Sequence, residues 1–211
     1  MVFVTIAGAE DIPILTTSDL YRNLVQSLQQ FGDPHQPILV GVRSAKLLVI
    51  AAGIQVLADY QFEDVEPNVR AALLSTFSFD QRNLGQTAFL SEAISAMQGV
   101  AGVAFVNVTI FDSVADDVTA TALASLSTTL VRREHVTAKL AYVDSTLSPA
   151  NQANPTAQDY FQIQPAQIVY LTPEIQDTLI LTEITPTQPG SMPARRKSPS
   201  ARWIRRSGGS K

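Results

Sequence analysis

A chain of 211 residues, 45% hydrophobic and 16% charged, is long enough to bury one good core and carry appendages. Its formal net charge of −4 conceals a split, because residues 195–211 hold seven basic residues and no acid, which leaves eight basic against nineteen acidic residues before them. The absence of cysteine removes disulfides, thiolate nucleophiles and thiolate metal sites and fits cytoplasmic synthesis; no apolar run approaches the roughly 20 residues of a membrane helix, and MVFVTIAGAED lacks the basic flank of a secretory signal, so a soluble folded protein is expected.

Val2 to Ile6 is a β-branched and aromatic run closed by Gly8 and reads as a first strand. Ser18 then offers a helix cap, and Leu20, Leu24, Val25, Leu28 and Phe31 recur at helical spacing up to Gly32. Two prolines and a glycine between Gly32 and Pro37 break that helix before Ile38 to Val42 resumes as a strand. This predicts a β-α-β unit. Lys46 to Leu57 is apolar on both faces at its start, as a central strand would be, with Gly53 a candidate bulge. Glu63, Asp64 and Glu66 place negative charge in a first helical turn that also tolerates Pro67, and Val65, Val69, Leu73 and Phe77 follow on one stripe.

From Phe77 to Phe111 the sequence predicts a Gly-punctuated loop, a short helix and a strand. Ser91 is placed to cap the free N–H groups of that helix, with Glu92 at its positive end and Ile94 and Met97 inward. Gly99 is expected to end it in the left-handed region, and Gly102 gives a second backbone freedom before the strand Val103 to Phe111. Strict alternation puts Ala104, Val106, Val108 and Ile110 on one face and Val103, Phe105, Asn107, Thr109 and Phe111 on the other. The order of elements is that of an α+β, ferredoxin-like split β-α-β sandwich with an extra short helix.

Beyond it, the Ala/Thr/Ser/Asp-rich run from Asp112 to Val131 reads as an inserted helix or a loop. Val136 to Val143 reads as a strand, Ser148 to Pro155 as a polar linker, and Gln167 to Leu171 and Thr178 to Ile184 as two strands joined by a turn at Pro173, together a small β annex. The expected organisation is a ferredoxin-like domain at 1–112, an insertion at 113–135, the annex at 136–185 and a disordered basic tail at 186–211, whose proline, serine and arginine supply too little apolar surface to offset ordering entropy.

Few residues suggest chemistry. His35 sits in a Pro-flanked loop and His135 beside Arg132 and Arg133, and neither has a third ligand in view, so both read as surface residues. Ser91 has a cap's context and no G-x-S-x-G. Asp112, Asp116 and Asp117 lack the glycine and distal glutamate of a calcium loop and read as a solvated acidic loop. Gly85, Gly99 and Gly102 form no phosphate-cradling pattern. No metal and no cofactor is expected. In the tail, Arg195, Arg196, Lys197, Arg202, Arg205 and Arg206 around Trp203 and Ile204 have the make-up of a contact to nucleic acid or anionic lipid, or else of a solubilising segment or one that orders against an acidic patch on an assembly neighbour.

The stretch FSFDQRNLGQTAFLSEAISAMQGVAGVAFVNV resembles the C-terminal part of the baseplate J-like family, the baseplate assembly proteins of contractile phage tails and related contractile injection systems. The matching positions are Phe77, Phe79, Arg82, Gly85, Ser91, Glu92, Val100, Gly102 and Val103. The upstream VFVTIAGAED and LYRNLVQSLQQFGDPHQPILVGV and the downstream IQPAQIVYLTPEIQDTLILTEI are similar to the flanks of the same region, so the likeness spans most of Val2 to Ile184. Ala101 departs from it, standing where members usually carry proline, and Met1 falls at what is mid-protein in the family, so a short paralogue, a split gene product or a truncated partner is expected. The resemblance implies a structural wedge component in the baseplate of a phage tail or tail-like particle. Its partners would be copies of itself in a ring, other wedge proteins, and sheath or tube-adaptor proteins, and no catalytic residues are implied. The competing reading is an adaptor whose basic tail tethers an acidic domain to membrane or nucleic acid; an enzyme comes third.

Overall fold

The computed structural model describes residues 1–116, 129–144 and 162–185. Asp117, the Ser148 to Pro155 linker and the whole 186–211 tail, with Arg195, Arg196, Lys197, Arg202, Trp203, Arg205 and Arg206, lie outside the described residues.

The chain opens as expected with β1 (Val2–Ile6), α1 (Asp19–Phe31) and β2 (Ile38–Val42). The Ser18 side chain accepts from the Tyr21 N–H at 3.3 Å and caps α1, while the Tyr21 hydroxyl donates to the Val40 carbonyl at 2.8 Å, tying the helix to the sheet. β1 and β2 pair in parallel from Val2 opposite Ile38 to Ile6 opposite Val42, as a β-α-β crossover requires.

The second sheet is built on β3 (Ser44–Val56), whose thirteen residues are mostly buried. Along one edge it pairs antiparallel with β5 (Val103–Ala115); along the other it pairs in parallel, end to end, with β9 (Gln167–Tyr170) at Ser44 to Leu47 and β10 (Leu179–Glu183) at Ile50 to Ile54. The mixed α+β class therefore holds, but the ferredoxin-like arrangement does not. A split β-α-β sandwich needs the strands of both halves in one sheet. With both edges of β3 occupied, β1 and β2 are left as a two-stranded sheet of their own. For the same reason the two C-terminal strands form no separate annex sheet; they complete the central one.

One face of β3 carries Leu48, Ile50, Ala52 and Ile54 against α2 (Phe62–Phe77) and α3 (Leu90–Gln98), where Val65, Val69, Leu73, Phe77, Ala93 and Met97 are all buried. Each of these side chains larger than alanine contributes roughly 1.5–3 kcal/mol by leaving water. The opposite face carries Ala45, Leu47 and Val49 against Val114, Ile168 and Tyr170. This two-sided burial is what the apolar start of the segment predicts. Because α2 begins at Phe62, Pro67 stands past the first turn in which it is expected and removes a helix hydrogen bond.

β5 departs from strict alternation at two points. Its register with β3 shifts between Ala51 and Ala52 and again between Gln55 and Val56, leaving Thr109 and Ala104 without a partner on β3. Gly53, the expected bulge, pairs regularly with Asn107. Each extra residue turns the strand over, so Val106, Val108 and Phe111 face the α2 and α3 core together, and Ile110 joins the opposite face. The Thr109 hydroxyl donates to the Ala51 carbonyl at 3.1 Å and pins the bulge.

The remaining pieces are short. β4 (Ala88–Phe89) pairs with β6 (His135–Val136), and β7 (Tyr142–Asp144) with β8 (Gln162–Gln164). The expected strand from Val136 to Val143 is thus broken in two, each half drawn to a different partner. Gly99 is right-handed at φ −71°, and the left-handed residue is Gly102 at φ 92°, where a Cβ would meet Tyr60 Cδ1 at 2.6 Å and Val65 Cγ2 at 2.9 Å. Gly102→Ala is expected to destabilise the protein by roughly 1–3 kcal/mol in urea unfolding. A loss under a few tenths would show that the turn relaxes freely.

Candidate functional site

The residues that carry the resemblance converge only in part. Arg82 follows a 3-10 turn at Phe79–Gln81, and its side chain is only 2% exposed. Its Nη1 donates to Glu92 Oε2 at 3.2 Å, its Nη2 to the Thr87 carbonyl at 2.7 Å, and its guanidinium stands 5.4 Å from the centre of the Phe77 ring. Glu92 also accepts from the Phe89 N–H at 3.3 Å. That carboxylate therefore serves the N-terminus of α3 and the buried arginine at once. Ser91 does not cap the helix: α3 starts one residue earlier, at Leu90, and Ser91 lies exposed in its first turn. Gly85 is left-handed at φ 77° and donates its N–H to the Gln167 carbonyl at 2.7 Å; Val100 accepts from Val103, which opens β5 opposite Val56. Phe77, Arg82 and the partly exposed Glu92 thus form one knot, while Gly85, Val100, Gly102 and Val103 shape turns around it. None of Phe77, Arg82 and Glu92 lines the hollows described below.

Phe79 belongs to a second cluster that the sequence did not announce. The Arg43 guanidinium, between β2 and β3, stands 4.9 Å from the Phe79 ring centre, pairs with Asp11 and approaches Asp116 at 3.8 Å. Tyr170 packs edge-on to Phe79 at 5.3 Å and donates its hydroxyl hydrogen to Asp11. Glu10 and Asp11 both have positive φ, 52° and 62°, uncommon for residues with a Cβ. The cluster is one of the joints between the β1-α1-β2 unit and the central sheet. Asp11 and Tyr170 are 159 positions apart, and no local pattern links them.

Beside this joint lie two adjoining hollows of about 460 and 220 Å³. Leu47, Tyr170 and Ile175 contribute apolar floor, the exposed Ile12 an apolar edge, and Glu10, Asp11, Asp80, Asp116 and Glu174 contribute carboxylates, with Arg43 the one cation among the lining residues. Burial raises the Tyr170 pKa, Arg43 acts in the opposite direction, and Asp116 and Glu174 add to the rise. A phenol whose folded pKa lies above its unfolded value of about 10 contributes stability that is complete below pH 10 and is lost as pH rises through the folded value. Tyr170→Phe is accordingly expected to flatten the alkaline end of the stability profile above about pH 10, read by thermal unfolding at stepped pH. An unchanged alkaline slope would remove the phenol from that role.

The two histidines are exposed, with His135 tilted against Phe89 at 6.2 Å. Asp112 is not part of a solvated loop. It is buried, its Oδ1 accepts from Arg133 Nε at 2.7 Å, and its Oδ2 accepts from the Val131 N–H at 3.2 Å, clasping the returning chain to β5. Among the described residues no three His, Asp or Glu side chains are grouped to hold a metal ion, and no helix is long and apolar enough to cross a membrane.

The β1-α1-β2 unit stands apart in one respect: none of its residues is fully buried. Leu20 is 65% and Phe31 81% exposed, on one side of α1. Of its thirteen residues only Asp19 and Arg22 are charged, and they pair with each other at 2.9 Å. A parallel two-stranded sheet under one helix is well short of a self-sufficient core.

Residues 1–41 match the family model described as Baseplate J-like central domain. The matched span covers β1, α1 and most of β2. It falls on the upstream flank of the resemblance, ahead of the Phe77 to Val103 positions, and carries the label of the family's central rather than C-terminal part. No curated protein matches the sequence.

Proposed function

We propose, starting from the Baseplate J-like match over residues 1–41, that this protein is a structural component of a phage or phage-like baseplate. It acts as part of the wedge, through protein–protein interfaces in a multi-copy ring, with neighbouring wedge, sheath or tube-adaptor proteins as partners. The observation that carries this reading is the half-built state of the matched unit. An amphipathic helix with an exposed Leu20 and Phe31 on a two-stranded sheet offers apolar surface to a partner, and depletion of charge is what the centre of an interface shows. The Arg82 cluster, turned inward, fits a scaffold role rather than catalysis.

The test is a pull-down of the tagged full chain from its native lysate, with mass spectrometry of what stays bound at high salt. Sheath, tube and wedge proteins are expected. Leu20→Asp combined with Phe31→Asp should leave unfolding within about 0.5 kcal/mol of wild type, since both side chains are exposed, while abolishing that co-purification. Recovery of the chain alone at high salt, with lipid or nucleic acid bound only at low salt, would sink the baseplate reading in favour of the tethering adaptor.

A further inference from the structure

The double hollow beside Arg43 is amphipathic: Leu47 and Ile175, with Ile12 at the edge, supply apolar surface among exposed carboxylates. Glu10, Asp80 and Glu174 form no ion pair among the described residues, so five carboxylates face a single guanidinium. A concave, low-dielectric surface of one sign focuses its field on a ligand of the other. The same chain contains the complementary segment. Arg202-Trp203-Ile204-Arg205-Arg206 sets an aromatic and an aliphatic side chain among three guanidinium groups, within a stretch that holds no acid from residue 195 onward.

We propose that Arg202 to Arg206 docks in this hollow, Trp203 and Ile204 on the apolar floor and the arginines on the Glu10, Asp80 and Glu174 rim. Reach does not oppose it. The last described residue, Thr185, follows β10, whose end at Glu183 lies opposite Ile54, seven positions along β3 from Leu47 in the hollow. That separation is about 23 Å. The 17 residue steps from Thr185 to Arg202 span up to about 55–60 Å when extended. A tether of this length holds its end at an effective concentration in the millimolar range, so even a weak contact is occupied within one chain. The proposal stands or falls independently of the baseplate reading.

Trp203 is the only tryptophan, so its fluorescence reports the docking directly in the full chain. At low salt the indole emission of the wild type is expected to be blue-shifted, and acrylamide quenching slowed about threefold if the docked state holds two thirds of the population. Molar salt should abolish both effects, because the Debye length falls to about 3 Å. The cleft variant Glu10→Gln, Asp80→Asn, Glu174→Gln should release the indole in the same way. So should the tail variant Arg202→Gln, Arg205→Gln, Arg206→Gln, which changes no residue of the described fold and so guards against a folding defect in the first. Dependence on protein concentration would place the segment in a neighbour's hollow, with the same occupant and the same contacts. An indole that is solvent-exposed in the wild type overturns the proposal. So does a shielded one indifferent to both variants, or one that becomes shielded only when phosphatidylserine vesicles or duplex DNA are added.

Discussion

Arg82→Met is expected to destabilise the protein by about 2–4 kcal/mol in urea unfolding, chiefly by leaving acceptors without their shared donor. Methionine fills much of the same volume, so the loss isolates the polar contacts from packing. Three acceptors are left behind: Glu92 Oε2 and the carbonyls of Gln86 and Thr87. Glu92 is partly exposed, so water compensates it in part. The two carbonyls belong to the turn that carries the chain from α2 into α3, and losing their shared donor costs about 1–3 kcal/mol. Stabilities of 5–15 kcal/mol are usual for a domain, so the variant should sit near the edge of folding. Glu92→Gln keeps an acceptor for Phe89 N–H and should cost less. The double variant should lose less than the sum of the two, because both remove one interaction. A loss below about 1 kcal/mol for Arg82→Met would show the guanidinium to be a passenger.

Phe111→Ala should also cost about 3–5 kcal/mol, whereas Phe105→Ala should stay within about 0.5 kcal/mol. Strict alternation along Val103 to Phe111 gives these two phenylalanines the same face and the same fate. The bulge at Thr109 separates them. Phe111 is fully buried, edge-on to Phe77 at 6.4 Å, and its backbone bridges to Val131 and Arg133. Phe105, opposite Gln55, lies on the outer face and is half-exposed. Equal losses for the two variants would mean that the register runs without the bulge. Comparable effects on urea midpoint and slope in both would point the same way, since a surface truncation leaves the area exposed on unfolding unchanged.

The first unit was legible because its signals are local. Val2 to Ile6, the Ser18 cap, the helical spacing from Leu20 to Phe31 and the proline break before Ile38 each depend on neighbours within a few positions, and each appears where expected. The apolar character of both faces of Lys46 to Leu57 likewise foretold a central strand. The start of α3 is ambiguous in sequence, because two adjacent polar residues, Ser91 and Glu92, suit a helix start equally well. What decided between them was the buried Arg82, which holds the Glu92 carboxylate where it also meets the Phe89 N–H.

The sequence by itself determined the element types, the apolar faces of the two longer helices and the charge split between body and tail, since these follow from periodicity and composition. Only the tertiary structure decided which strands share a sheet, where β5 bulges, and that Arg43, Asp11, Phe79 and Tyr170 form one joint. Strand pairing is a competition for edges, and β3 is long enough to take β5 along one edge and both β9 and β10 along the other. That competition, absent from any local window, turned an expected single sandwich into a central sheet of β3, β5, β9 and β10 with a separate β-α-β unit beside it.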